Sequence, residues 1–139
     1  MKTKAKILVV DDDLDFIEIS KLSLEGQGYR IFSAFNAKEG WKMLEKEKPH
    51  LIIMDLMMEH LDSGMALSQQ IKGHPQYAAI PILMLTSITR DTGMDFAPRT
   101  EEDLRRLKVD DYSPKPIKPQ VLLEKVKKLL AQKNKRGKK

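Results

Sequence analysis

Acidic side chains gather where short apolar runs stop. The run KILVV at 6–10 is followed at once by Asp11, Asp12 and Asp13, and LIIM at 51–54 is followed by Asp55. PILML at 81–85 leads into Thr86 and Ser87, and a short run at 109–112 leads to Lys115 and Pro116. If these ends meet, several carboxylates share one site with a hydroxyl and an ammonium. Carboxylates at short range repel one another, and burial raises the cost. A hard divalent cation relieves that conflict, and magnesium favours oxygen ligands, few carboxylates and retained water. A metal, a lysine and a hydroxyl around one aspartate suit phosphoryl chemistry, since the cations neutralise oxygens and the carboxylate can attack. Acids at strand ends are commonly plain loop residues. The coincidence at four ends carries the reading.

The elements that would position these groups alternate along the chain. Lys6–Val10 reads as a buried strand, and Leu14–Gln27 as a helix with Leu14, Ile17 and Leu24 on one face, ended by Gly26 and Gly28. Tyr29–Ala34 is strand-like, and Asn36 caps a helix carrying Ala37, Trp41 and Leu44 at i, i+4, i+7. Leu51–Met54 is a third strand, Asp62–Lys72 a third helix, Pro81–Leu85 a fourth strand and Val109–Tyr112 a fifth. Lys118–Gln132 forms the final helix with Leu122, Val126 and Leu129 at i, i+4, i+7. Strands alternating with helices pair in parallel through right-handed crossovers, and continuous apolar strands imply a sheet covered on both faces. The expected fold is α/β, a doubly wound five-stranded parallel sheet. Its functional residues gather beyond the C-terminal strand ends, at the switch in strand order.

With 139 residues the chain is one ordinary domain, large enough for a core of its own. A content of 41% hydrophobic and 32% charged residues excludes disorder along its whole length. The lack of cysteine excludes disulfides, thiolate zinc sites and a cysteine nucleophile, and fits a cytoplasmic protein. No apolar run reaches the ~20 residues of a membrane span, and the apolar stretch after the basic start is too short for a secretory signal. The net charge of +5 is localised. Residues 124–139 hold eight basic residues and one acid, which leaves the preceding 123 residues at −2. Residues 1–131 are therefore read as the folded domain and 132–139 as a basic, solvated tail rather than a nucleic-acid arm.

The motifs ILVVDDD at 7–13, HLIIMDLMM at 50–58, PILMLTS at 81–87 and DDYSPKP at 110–116 together resemble the receiver domain of bacterial two-component response regulators, in the stand-alone, chemotaxis-regulator-like form. The resemblance spans roughly residues 5–131. It implies a (βα)5 fold of flavodoxin-like strand order. It implies that Asp55 accepts a phosphoryl group from a sensor histidine kinase or a phosphotransfer protein. Asp11 and Asp12 would be the acidic pair for Mg²⁺, Asp12 directly and Asp11 through water, with Asp55 and the Met57 backbone carbonyl completing the protein ligands. Thr86 would hydrogen-bond the new phosphoryl group, Lys115 would pair with it, and Tyr112 matches the aromatic switch position. The Lys115–Pro116 bond is commonly cis in this family. A downstream protein would dock on the face of the fourth helix, fifth strand and fifth helix, where a homodimer also stays open. With no room for a DNA-binding domain after residue 132, output is expected through protein contact, onward phosphotransfer or competition for a kinase.

Three features depart from the family pattern. Glu59 stands where proline is usual, and Ser63 separates Asp62 from Gly64, which lengthens that loop by one residue. The segment from Thr86 to Tyr112 is longer than usual. Gly93 and Pro98 predict a loop at about 89–99, and Thr100 with Asp103 a helix start near Thr100. Met57 and Ile88 flank the site with apolar side chains that cannot orient water, so slow self-dephosphorylation is expected.

Other residues have simpler explanations. His50, His60 and His74 lack metal-ligand spacing, Met43, Met54 and Met84 fill the core, Trp41 lies on a core stripe, and Asp13 serves as a helix cap. Two other functions would use parts of the same residue pattern. A haloacid-dehalogenase-like phosphatase would draw on Asp11, Asp13, Thr86, Lys115, Asp110 and Asp111, but the order is wrong and Asp55 is left without work. A phosphorylation-independent pseudo-receiver would lack pocket residues that are all present here.

Overall fold

The computed structural model describes residues 5–55, 63–87, 109–115 and 117–136, with 63–65, 86–87 and 133–136 described by backbone alone. In chain order the elements are β1 (Lys6–Val10), α1 (Leu14–Glu25), β2 (Arg30–Ala34), α2 (Ala37–Glu47), β3 (Leu51–Asp55), α3 (Ser63–Lys72), β4 (Ile82–Ser87), β5 (Asp111–Lys115) and a C-terminal helix (Pro119–Arg136). The five strands form one sheet in the order β2-β1-β3-β4-β5, and every pairing is parallel. This is the doubly wound, flavodoxin-like order expected. The order reverses between β1 and β3, so the C-terminal ends of these two strands flank the crevice where such folds place their sites.

The strands read as continuous apolar runs because both faces are covered. Leu8 and Val10 of β1 point into one core with Ile52, Met54, Met84, Leu44 and Leu67. Ile7 and Val9 point into the other with Ile53, Leu85, Ile17, Leu24, Leu122 and Val126. Helices α2 and α3 cover the first face, and α1 with the C-terminal helix covers the second. Met54 and Met84 are fully buried, while Met43 and Trp41 pack against the first core partly exposed. His50 is structural, as expected: its Nδ1 accepts from Lys6 N at 2.9 Å, and its own N–H donates to Lys6 O at 2.8 Å. His74 stacks on Tyr77 with ring centroids 4.6 Å apart. His60 lies outside the described residues.

The structure departs from the sequence reading in several places. Helix α1 starts at Leu14, but Leu14 is 59% exposed. The buried stripe is Ile17, Ser20 and Leu24, and a serine at its centre hides it from a hydrophobicity count. Strand β4 runs on through Thr86 and Ser87. Strand β5 begins at Asp111 rather than Val109 and includes Lys115. It lies at the sheet edge with little burial beyond Ser113, so it carries almost no apolar signature, and its edge position tolerates Pro114. The C-terminal helix continues four residues past Gln132, to Arg136. The loop expected at about 89–99, the helix start near Thr100, and Glu59, Asp62 and Ile88 lie outside the described residues. Among the described residues, no helix is long and apolar enough to cross a membrane.

Candidate functional site

The three acids after β1 take three different positions. The Asp11 backbone N–H donates to Ala34 O at 3.0 Å, so Asp11 prolongs the run of β1 beside β2. Its side chain is buried, and its Oδ1 accepts from Asp13 N at 2.9 Å, which ties the turn. Asp12 is exposed. Asp13 is the helix cap expected: its Oδ1 accepts from Asp15 N at 3.1 Å and Phe16 N at 3.2 Å, satisfying two free donors of the first turn of α1. Capping thus sets Asp13 apart from its two neighbours.

Asp55 is the last residue of β3 and is 4% exposed. Carboxylate oxygens of Asp11, Asp12 and Asp55 all lie within 4.8 Å of one another. Lys115, the last residue of β5, reaches across to them. Its Nζ is 2.6 Å from Asp11 Oδ2 and 3.4 Å from Asp55 Oδ2. The shorter contact is an ion pair between two largely buried side chains. The ammonium also sits 4.7 Å from the centroid of the Phe16 ring, a cation–π contact.

Electrostatics follow from three acids around one base. Burial raises the Asp11 carboxyl above its ordinary value, and the opposing pull of the Lys115 contact does not cancel it. For Lys115, desolvation favours the neutral amine, but the contacts with Asp11 and Asp55 outweigh it, and the pKa is raised. The donor set is all oxygen, two of its three carboxylates are buried, and negative charge is in excess, which is the chemistry a Mg²⁺ ion fits.

Five of the residues picked from sequence are therefore placed at this end of the sheet. Asp11, Asp12, Asp55 and Lys115 come together through their side chains, and Thr86 joins them by its backbone. Thr86 pairs in register with Pro114, one step beyond the Asp55–Leu85 pairing. Tyr112 pairs with Met84 in the adjoining part of β5 and packs partly buried against the first core. Met57 and Pro116 lie outside the described residues. Phe16 was not foreseen: it stands on the first turn of α1, 99 residues from the lysine it touches, and no spacing rule links the two. Asp110 and Asp111 lie at the other end of β5. Asp110 Oδ2 accepts from Lys72 Nζ and from Ile82 N, both at 2.8 Å, and Asp111 pairs with Lys125. The acids that the phosphatase reading needs are thus spent elsewhere.

Known proteins resemble this arrangement throughout. The response regulator receiver domain family model matches residues 7–127. The alkaline phosphatase synthesis transcriptional regulatory protein PhoP of Bacillus subtilis is 37% identical over 125 residues, covering 90% of this chain and 48% of that protein. This chain spans about half the length of the curated relatives it matches. Among solved structures, a CheY-like response regulator receiver domain protein from Methanospirillum hungatei superposes with a TM-score of 0.77 at 27% identity, covering 96% of this chain and 99% of that one. The signal receiver domain of a signal transduction histidine kinase from Syntrophus aciditrophicus gives 0.75 at 33% identity, covering 92% and 91%. The strand order, the acidic cluster at the β1/β3 crevice and the match over residues 7–127 agree: the chain belongs to the response regulator receiver domain family, a family of signalling domains.

Proposed function

We propose that this chain is a phosphorylation switch in which Asp55 is the phosphoacceptor. The observation that carries this reading is the position of Asp55: buried at the end of β3, within a carboxylate cluster, and 3.4 Å from the Lys115 ammonium. Asp11, Asp12 and Asp55, with the Met57 carbonyl, would hold Mg²⁺. That ion would neutralise phosphoryl oxygens as they approach three acids.

The chain's own residues then do the following. An Asp55 oxygen attacks the phosphorus of a phosphohistidine on a sensor histidine kinase or phosphotransfer protein. An O–P bond forms, the P–N bond breaks, and the leaving imidazole takes a proton. The new group brings about −1.5 to −2 charge, as on other phosphorylated side chains. Lys115 pairs with one of its oxygens and Thr86 donates a hydrogen bond to another. Tyr112 moves into the space that Thr86 vacates, a shift between two packings driven by the new contacts. The chain promotes only its own phosphorylation and dephosphorylation. Output runs through protein contact on the face that includes β5 and the C-terminal helix, in the cytoplasm. Residues 1–131 form the switch, and 132–139 are a basic end whose first residues, to Arg136, continue the C-terminal helix.

The test is intact mass after incubation with acetyl phosphate and Mg²⁺. One labile phosphoryl adduct, lost in Asp55→Asn and lost with chelator, is expected. A folded chain with no adduct overturns the reading in favour of a pseudo-receiver. Phosphate release that depends on Asp11 and not on Asp55 overturns it in favour of a phosphatase.

A further inference from the structure

Four contacts after β1 close into a circuit that begins and ends at one carboxylate. Asp11 Oδ1 accepts from Asp13 N at 2.9 Å. Asp13 Oδ1 accepts in turn from Phe16 N at 3.2 Å, as part of the cap of α1. The Phe16 ring has the Lys115 ammonium over its face, 4.7 Å from the centroid. That ammonium returns to Asp11 at Oδ2, 2.6 Å away. Asp11 therefore holds Lys115 through one oxygen, and through the other it holds the turn that presents the ring beneath it. The ring itself is half-buried and packs against the core shared by α1 and the C-terminal helix.

This geometry gives the ring a task. A lysine ammonium is a point charge on a flexible stem, with no preferred direction of its own. Its two carboxylate partners, Asp11 and Asp55, leave it free to swing about the line between them. A contact from a third element, α1, stops that swing. Another carboxylate in the place of Phe16 would stop it too, but would add negative charge where a phosphoryl group has to arrive. An aromatic face attracts the cation through its quadrupole and carries no net charge.

We propose that Phe16 is a positioning residue for the phosphorylation of Asp55. Its ring holds the Lys115 ammonium where the incoming phosphoryl oxygens meet it, and the Asp13 cap sets the ring. This inference rests on Asp55 being the phosphoacceptor. It gives the helix cap a part in the chemistry, because the bond that starts α1 also orients the side chain on which the lysine lies.

The experiment follows the initial rate of adduct formation on the full chain with acetyl phosphate and Mg²⁺, by intact mass. Phe16→Leu keeps an apolar side chain and removes the aromatic face, and should slow labelling about three- to tenfold. Phe16→Tyr keeps the face and should keep the rate. Mono-, di- and trifluorophenylalanine at position 16 weaken the face in steps at nearly constant shape, and the rate should fall in the same steps. In a Lys115→Met background, Phe16→Leu should add no further loss. Asp13→Ala should slow labelling, and Asp13→Asn, an equally good cap, should restore most of it. A second readout needs neither metal nor phosphate. In EDTA, the ring current of Phe16 should place the Lys115 ε-methylene protons upfield of those of other lysines. Phe16→Leu and Asp13→Ala should return them to the common range, and Asp13→Asn should not. Equal rates across the fluorinated series, a Phe16→Leu loss that persists in Lys115→Met, or Lys115 protons in the common range would each overturn the positioning role while leaving Asp55 as the phosphoacceptor. A parent chain that takes no adduct would overturn both readings. Should Phe16→Leu fail to fold, the fluorinated series decides, since fluorine in place of hydrogen barely alters the packing.

Discussion

Lys115 Nζ lies 2.6 Å from Asp11 Oδ2, and this contact joins the end of the edge strand β5 to the turn after β1. The same ammonium serves Asp55 at 3.4 Å. The side chains of Lys115, Asp11 and Asp55 are 13%, 1% and 6% exposed, so solvent screens them little. Removing one partner of a buried pair strands the other charge, which typically costs about 3–5 kcal/mol. Asp11 can limit that loss by taking up a proton, so Lys115→Met should cost about 2–3 kcal/mol by urea denaturation in EDTA. Adding Asp11→Asn should recover about half of it. Strictly additive effects would show that the lysine does not compensate Asp11.

Asp11 itself is held against its own ionisation. Its folded-state pKa is raised from 3.8, mainly by burial. The folded chain therefore binds more protons at this group than the unfolded chain does. Its contribution to stability falls as pH climbs from the ordinary carboxyl range through the raised value, and is level above it. Asparagine does not titrate there. In EDTA, the Tm of Asp11→Asn relative to the parent should rise across that window and level off above it. Acetyl phosphate labelling should fall in the same variant. A difference that shrinks or stays flat as pH climbs through that window would contradict the sign.

A second ion pair braces the opposite end of the sheet. Lys72 Nζ donates to Ile80 O at 2.7 Å, Ala78 O at 3.2 Å and Asp110 Oδ2 at 2.8 Å. It ties the end of α3 to the entry of β4 and β5. Lys72→Met leaves two carbonyls and a largely buried carboxylate short of a donor, at an expected cost of about 2–4 kcal/mol by denaturant melts. A loss under about 0.5 kcal/mol would mark the brace as a surface pair.

What could be read from the sequence depended on whether a residue announces its place locally. Asp11, Asp55 and the Asp13 cap follow apolar runs or precede a helix, so their positions were legible once strands and crossovers were assigned. Strand β5 was displaced because an edge strand with one buried residue leaves no apolar trace, and the bonds of Asp110 to Lys72 and Ile82, which set it apart from the site, join residues far apart in the chain. Ser20 interrupts the buried stripe of α1 in hydrophobicity but not in space. The Phe16–Lys115 contact joins elements at opposite ends of the chain, and only the closed sheet brings them together.

Gly40 shows how tightly that sheet is covered beside the site. It lies buried in α2, and a Cβ there would meet Val10 at 3.1 and 3.2 Å and Leu67 at 3.3 Å. Two effects oppose each other in Gly40→Ala. Helix propensity gains about 1 kcal/mol, while the methyl presses a branched side chain of the inner strand β1 that cannot move far. Overpacking a core commonly costs about 1–3 kcal/mol, so Ala should come out within about 1 kcal/mol of the parent, on the unstable side. Gly40→Val adds two methyls in the same place and carries a poorer helix propensity, so it should lose about 2–3 kcal/mol. Val10 is the residue before Asp11, so the same push should reach the acidic turn and slow acetyl phosphate labelling in the valine variant. Stability equal to the parent in Gly40→Val would mean that α2 can lift from β1, and that the glycine is not there to let the helix close on the strand.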